Sequence, residues 1–335
     1  MNESTTFLIT GACGMLGRAM TGLLGTQTTA LTFADLDITN YAAVAAALNR
    51  YRPTTLINCA AATDVDRCET DHAYADAGNT TGPRALAEAC AAHKVEMVHV
   101  STDFVFDGAT EVPYTEKDEP RPVNYYGLSK LRGEEAVREL MPQALVVRTS
   151  WTYGPVGLAG TNFPLKVLEW ARRPGPLRVA TDQFGSPTYA PHLAAGILEL
   201  LEMNATGLFH LAGDGCASRW EVAHETLATA RTVTADPAAF RLADIDFTVP
   251  ILPAAAIDFP APAPRPAFSC LDCGKAARLG VTLPPWQIGL ALYITGLLRK
   301  HDSAVDIWDR HLPAGCAPTQ SKFAAGPGET KGTTA

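Results

Sequence analysis

Phe7-Leu-Ile-Thr10-Gly11-Ala-Cys-Gly14-Met15-Leu16-Gly17-Arg18 is the stretch that decides the fold. Phe7 to Thr10 reads as a short buried strand, and Leu16 to Leu24 as a helix entered through a glycine-rich turn. In such a unit the first glycine permits the tight turn and the second lets backbone approach a pyrophosphate. The third lets helix and strand pack closely, with the helix N-terminus facing the anion. Gly11, Gly14, Met15, Leu16, Gly17 and Arg18 are therefore expected to border a dinucleotide cofactor.

Outward from this unit, Thr54 to Asn58, Met97 to Ser101 and Ala144 to Arg148 are further apolar runs. Helical patterns lie between them, at Tyr41 to Leu48, Arg84 to Ala92 and about Tyr126 to Leu140. Strands alternating with helices predict an α/β fold, a Rossmann-type doubly wound parallel sheet. Beyond residue 155 the helical stretches Phe163 to Ala171, His192 to Leu201, Trp220 to Ala228 and Gln287 to Leu298 are joined by proline-rich connections. Val249 to Pro266 carries many prolines and alanines, the composition of an extended surface loop. The expected organisation is a mainly NAD(P)-binding domain over 1–155 and a smaller mixed α/β substrate-binding part over 156–300, some of whose segments return to the first domain. A disordered tail is expected over 313–335, where Gly, Pro, Ser, Thr and Lys dominate.

Some twenty residues after the glycines, the second strand should end in an acid that accepts the ribose hydroxyls. Asp35 is well placed, and Asp37-Ile38 follows; either aspartate could instead serve its own turn. Arg18 could meet a 2′-phosphate, so NADH and NADPH both stay open as cofactors. The small residues Ala60, Ala61 and Ala62 follow the next strand and let backbone come close to the same ligand.

Tyr126-Gly-Leu-Ser-Lys130 opens a helix, and its i,i+4 spacing puts Tyr126 and Lys130 on one face. A free phenol has a pKa near ~10; an ammonium one turn away and a positive nicotinamide ring are expected to lower it toward neutrality. Tyr126 could then protonate a carbonyl oxygen as hydride reaches the carbon. Thr102, in the loop after Met97–Ser101, is the hydroxyl expected beside it on the substrate.

The net charge of −8 gives no long-range attraction to nucleic acid or anionic membranes. The chain has no long uninterrupted apolar run, and Met1-Asn2-Glu3-Ser4 is unlike a signal peptide, so a cytoplasmic protein is expected. The 8 cysteines read as free buried thiols, and Cys270-Leu-Asp-Cys273 is a lone CxxC without a second pair or a histidine at ligand spacing. No metal site is expected.

At this point a resemblance can be stated. The strings are Ser101-Thr-Asp-Phe-Val-Phe-Asp-Gly108, Pro113-Tyr-Thr-Glu116, Asn124-Tyr-Tyr-Gly-Leu-Ser-Lys130 with Gly133-Glu134, and Arg148-Thr-Ser-Trp151-Thr-Tyr-Gly154. Further along stand Asn162-Phe163, Asp182-Gln183-Phe-Gly185-Ser-Pro187-Thr188, Gly207-Leu-Phe-His-Leu-Ala-Gly213 and Arg265-Pro266 with Ser269. They resemble the extended short-chain dehydrogenase/reductases and, among these, the dTDP-4-dehydrorhamnose reductase family. The resemblance implies reduction at C4 of a dTDP-linked 4-keto-6-deoxyhexose, with Thr102, Tyr126 and Lys130 as the catalytic triad. It implies Trp151 as an aromatic wall of the sugar site and Arg265 as a contact to the nucleotide end.

Two departures stand out. Phe104 lies in the substrate loop where the family often has tyrosine, so a hydroxyl contact is lost. Some members hold Mg2+ at a dimer contact; no acidic cluster here can be assigned to it, and a homodimer stays open. Asp103 is followed by Phe104 and not by glutamate, which argues against a dehydratase of the same superfamily. The alternatives are a 4-epimerase, a reductase for another nucleotide-linked deoxyhexose, and a non-catalytic NADP-binding regulatory subunit of the methionine-adenosyltransferase type.

Overall fold

The structure is a computed structural model that describes residues 5–154, 162–233, 245–298 and Cys316. The first half runs β1 (Phe7–Thr10), α1 (Met15–Leu24), β2 (Thr28–Leu31), α2 (Tyr41–Tyr51), β3 (Thr55–Asn58), α3 (Val65–Thr70), α4 (His72–Asp76), α5 (Gly82–His93), β4 (Glu96–Thr102), α6 (Tyr125–Leu140) and β5 (Leu145–Thr149). The second half runs β6 (Thr152–Tyr153), α7 (Phe163–Trp170), β7 (Leu177–Ala180), β8 (Phe184–Gly185), β9 (Thr188–Tyr189), α8 (Ala190–Glu202), β10 (Gly207–His210), β11 (Ala217–Ser218), α9 (Arg219–Val233), β12 (Ile251–Ala254), α10 (Gly274–Ala277) and α11 (Trp286–Leu298).

Six strands form one parallel sheet in the order β10-β5-β4-β3-β1-β2. The expected doubly wound sheet is therefore present, and the strand order reverses direction between β1 and β3, where such sheets bind ligands. Alternation along the strands sends side chains to two covered faces. Phe7, Ile9, Val98 and Val147 pack with α1 and α8 residues such as Met20 and Ile197. Leu8, Leu56, Met97 and Val146 pack with Leu48, Leu86 and Val137 of α2, α5 and α6. Helices on both faces are why these strands read as nearly continuous apolar runs.

A second core gathers α7, α9 and α11 around β7, with Leu168, Val179, Leu227 and Ile294 buried together. Around it lie the short pairs β7–β12 and β6–β9, both parallel, and β8–β11, antiparallel. Sequence α8 and β10 return to the first sheet, β10 as its edge beside β5.

Two expectations change. The proline-rich segment after Val249 contains a strand, β12, that pairs with β7 through Pro253. A two-stranded ribbon is all edge, so a proline lacking its N–H can sit there. The cysteines are also not all free thiols: Cys13 is bonded to Cys316 and Cys216 to Cys270, with Cα–Cα distances of 5.3 and 5.7 Å. Those distances are ordinary bridging geometry, and separations of 303 and 54 residues hide the pairing from sequence spacing. Cys59, Cys68, Cys90 and Cys273 are free, so the CxxC has only one free thiol. The expected tail at 313–335 lies outside the described residues apart from Cys316.

Candidate active site

A cleft of about 900 Å³ runs over the carboxyl ends of the parallel strands. Strand order arranges its lining across the sheet: Gly11 after β1, Cys59 after β3, Thr102 at the end of β4, Trp151 after β5.

At the β1 end the glycine loop behaves as its spacing predicts. Gly11 has φ +69°, and a Cβ there would lie 2.6 Å from the Ala60 amide nitrogen, so the two loops touch backbone to backbone. A Cβ on Gly17 would meet the Gly11 carbonyl oxygen, which fixes Gly17 as the packing glycine under the loop and not a lining residue. Gly14, Met15 and Leu16 face the cleft. Gly14 caps α1 without any side-chain hydrogen bond, leaving the amides of the first turn open to an anion. These features fit a dinucleotide pyrophosphate.

Besides Gly17, two cofactor expectations are corrected. Asp35 turns back on its own loop, accepting from the Thr32 N–H at 2.9 Å and the Thr32 hydroxyl at 2.7 Å. The Thr32 backbone hydrogen bond holds its carboxyl below the usual range. Asp37, with Ile38, is the acid that lines the cleft. Arg18 is buried beneath the loop, its Nε donating to the Cys13 carbonyl, and does not line the cleft. Helical phase explains it: one residue past Gly17, Arg18 sits on the core side of α1.

Ala60, Ala61 and Ala62 line the cleft after β3. Asn79 holds this loop against the catalytic helix. It accepts from the Ala62 N–H at 2.9 Å, and its amide donates to the Ala62 carbonyl and to Ser129 Oγ, each at 3.0 Å.

Asn124 caps α6 by accepting from the Gly127 N–H at 2.8 Å, and Tyr126, Lys130, Thr102 and Phe104 all face the cleft. The Phe104 ring meets Tyr126 edge-on at 5.6 Å. Lys130 Nζ donates to the Val100 carbonyl at 2.6 Å, and burial lowers its pKa to about 8. The Lys130 ammonium does not lower the Tyr126 phenol as expected; burial raises it above its ordinary value, opposed by a hydrogen bond with Thr102. The phenol thus stays protonated at neutral pH, the form that can give a proton to an alkoxide.

Thr102 is held by a neighbour that spacing did not single out. Its hydroxyl donates to Asp103 Oδ1 at 3.1 Å and accepts from the Phe104 N–H at 3.2 Å. Asp103 Oδ2 also accepts from Ser150 at 2.9 Å and Ser269 at 2.5 Å, clamping the ends of β4 and β5 to the C-terminal segment. Burial raises the Asp103 carboxyl to about 6 despite these three donors. Beneath the site, the fully buried Glu134 takes Arg148 Nε at 2.8 Å and Nη2 at 2.7 Å and also accepts from Ser101.

On the substrate side, Trp151 lines the cleft as expected, but Arg265 does not. The Arg265 guanidinium is engaged by Asp66 through both Nη atoms, at 2.8 and 3.0 Å. The cations on this side of the cleft are Arg219 and Lys166, which sequence reading missed. Among the described residues, no group of three or more His, Cys, Asp or Glu is placed to hold a metal ion. Likewise, no helix is long and apolar enough to cross a membrane.

Comparison with known proteins agrees with this geometry. Residues 5–299 match the family described as RmlD substrate binding domain. The chain is 39% identical to a dTDP-4-dehydrorhamnose reductase of Mycobacterium tuberculosis (strain CDC 1551 / Oshkosh), over 93% of this chain and 98% of that one. It is 39% identical to a dTDP-4-keto-6-deoxy-D-glucose reductase of Streptomyces niveus, over 70% and 81% of the two chains. The crystal structure of a Bacillus anthracis dTDP-4-dehydrorhamnose reductase in complex with NADP superposes with a TM-score of 0.79 at 31% identity, covering 87% of this chain and 99% of that one. The chain belongs to the RmlD substrate binding domain family.

Proposed function

We propose that this protein is an NAD(P)H-dependent reductase that converts dTDP-4-dehydro-L-rhamnose to dTDP-L-rhamnose. The observation that carries the reading is the convergence of Tyr126, Lys130 and Thr102 on the same cleft as the Gly11 loop, at the end of the central strand β4. The Mycobacterium tuberculosis and Bacillus anthracis relatives name the substrate.

A bound nicotinamide dinucleotide supplies the hydride. Tyr126 gives its proton to the C4 oxygen as charge develops there, the alkoxide that forms being the stronger base. Thr102, oriented by Asp103, keeps a hydroxyl beside the same oxygen. Lys130 stabilises the phenolate left behind, and its bond to Val100 fixes the ammonium on the cleft side of α6. Trp151 and Phe104 form apolar walls that exclude water from the sugar.

The test is to mix the protein, NADPH or NADH, and dTDP-4-dehydro-L-rhamnose and to follow coenzyme absorbance. Oxidation stoichiometric with dTDP-L-rhamnose formed supports the reading; no oxidation with any 4-keto-6-deoxy sugar nucleotide overturns it. The Streptomyces niveus relative favours a second reading, a reductase for a different dTDP-4-keto-6-deoxyhexose. Product identity separates the two, and a 4-epimerase would consume no net coenzyme.

Two further outcomes are expected. Asp37 is the carboxylate on the ribose side of the cleft, and a nearby like charge costs on the order of 1 kcal/mol at a partly solvated site. Asp37→Ala should therefore move the NADPH/NADH ratio of kcat/KM about tenfold toward NADPH; an unchanged ratio would remove Asp37 from the 2′-position. The pH profile of kcat/KM should be bell-shaped. Its acid limb lies near 6, where Asp103 takes up a proton and loses a hydroxyl donor. Its alkaline limb lies near 8, where Lys130 loses its ammonium proton. A profile flat through both regions would contradict these two roles.

A further inference from the structure

Trp151 leaves β5 with φ +41°, a left-handed conformation that is strained for so large a residue. Its indole lies against the backbone of Gly185, where a Cβ would approach to 2.3 Å. The Arg219 guanidinium stacks on the same indole, its Cζ 3.5 Å from the Trp151 ring centroid and 4.8 Å from that of Phe163. Three elements thus converge to hold one flat cation against one strained ring at the cleft wall.

That cation has no ionic counterpart among the described residues. Among the described residues, the Arg219 guanidinium makes no ion pair and no side-chain hydrogen bond. Burial pushes it down to about 10, and the carboxylate that acts on it most, Asp103, is already engaged by three hydroxyls. The helix gains nothing from it either. Arg219 is the first residue of the fifteen-residue α9, the end at which the helix dipole disfavours a cation. The end is already capped by Ser218 and Glu221, the Glu221 N–H donating to Ser218 Oγ at 3.1 Å and the Glu221 carboxylate accepting from the Ser218 N–H at 2.6 Å. A partly buried, unpaired guanidinium is costly until an anion reaches it.

The coenzyme pyrophosphate is not that anion. It belongs over β1, whereas Trp151 follows β5, three strands away in the sheet and so roughly 14 Å distant at the usual strand spacing. Arg265, the other candidate for an anion contact, is neutralised by Asp66. Lys166 lines the same side of the cleft and adds a second positive charge.

We propose that Arg219 is the substrate-anchoring residue of this site, binding the diphosphate of a nucleoside-diphosphate sugar while its stacked face keeps Trp151 in place against the sugar. The inference rests on the sugar-nucleotide reading of the cleft and assigns the residue that recognises the diphosphate. A guanidinium presents paired donors to a phosphate and stacks on an aromatic face at once, a combination that lysine lacks.

Calorimetric titration of the full chain with dTDP alone tests it without any turnover. Arg219→Gln should weaken dTDP about 10- to 100-fold, the range for loss of a charge-assisted hydrogen bond. Affinity for NADPH and for thymidine should stay within about twofold of wild type, since neither meets Arg219. Arg219→Lys should fall between the two proteins. Wild-type dTDP affinity in Arg219→Gln, or equal losses of dTDP and thymidine, would overturn the proposal, the second making Arg219 only a prop for Trp151. Should both variants fail to fold, the wild type still decides: dTDP must bind at least about tenfold more tightly than thymidine, and equal binding overturns the proposal. Tight dTDP binding without reduction of any keto sugar would overturn the reductase reading and leave the diphosphate site standing.

Discussion

Tyr126→Phe is expected to lower kcat by roughly 10²–10⁴, the range for removing a general acid, while NADPH binding and thermal stability stay close to wild type. Tyr126 lines the cleft at the start of α6, and among the described residues no backbone hydrogen bond depends on its hydroxyl, whereas helix capping rests on Asn124. Its hydroxyl engages Thr102, which keeps Asp103 and the Phe104 N–H as partners when the phenol is gone. The loss should therefore fall on the chemical step. A variant with wild-type kcat would place the acid elsewhere; one that lost NADPH binding in proportion would make Tyr126 a binding residue.

Glu134→Ala is expected to cost about 3–5 kcal/mol of stability, because it strands the fully buried Arg148 guanidinium without its carboxylate. That is a large share of the ~5–15 kcal/mol of a typical domain, and should lower Tm by on the order of 10 °C. Replacing both partners, Glu134→Leu with Arg148→Met, should recover most of the loss, since two apolar groups leave no unpaired charge. Arg148 Nη1 has no hydrogen-bond partner even in the native pair, so the ion pair is not fully satisfied. A functional sign accompanies the structural one. Glu134 lies one turn beyond Lys130, and its charge raises the Lys130 pKa. Removing it should move the alkaline limb of the pH profile to lower pH, which loss of packing alone would not do. Unfolding curves and kcat/KM against pH measure the two effects separately.

Sequence reading succeeded where the physics is local. Glycines three residues apart after an apolar strand, and Tyr126 and Lys130 one turn apart, need no partner from elsewhere in the chain. Asp35 and Asp37 show the limit: both stand near the ribose in sequence and each closes its own turn, on Thr32 and on Thr39, so only the placement of Asp37 in the cleft lining separates them. Arg265 and Arg219 show it more strongly. Pairing with Asp66 across 199 residues takes Arg265 out of the cleft, while Arg219 becomes conspicuous only when Trp151 and Phe163 are brought beside it. The Asp103 clamp has the same character, since Ser150 and Ser269 reach it from distant segments. The two disulfides join residues whose spacing carries no signal, and composition alone favoured free thiols. The expected effect of Lys130 on Tyr126 failed for a related reason: helical spacing gives proximity on a face, not the degree of burial, and burial is what dominates both groups.

Hydride goes to C4 of a nucleotide-linked keto sugar in the proposed reaction, with Tyr126 supplying the proton. This is tested most directly by running the reaction with NADPH deuterated at C4 of the nicotinamide, each prochiral label in turn, and reading the product by NMR. One of the two labels should place a single deuterium at C4 of dTDP-L-rhamnose, and Tyr126→Phe should form the same product far more slowly. Coenzyme oxidation with no deuterium at C4 of the sugar from either label would contradict this hydride route.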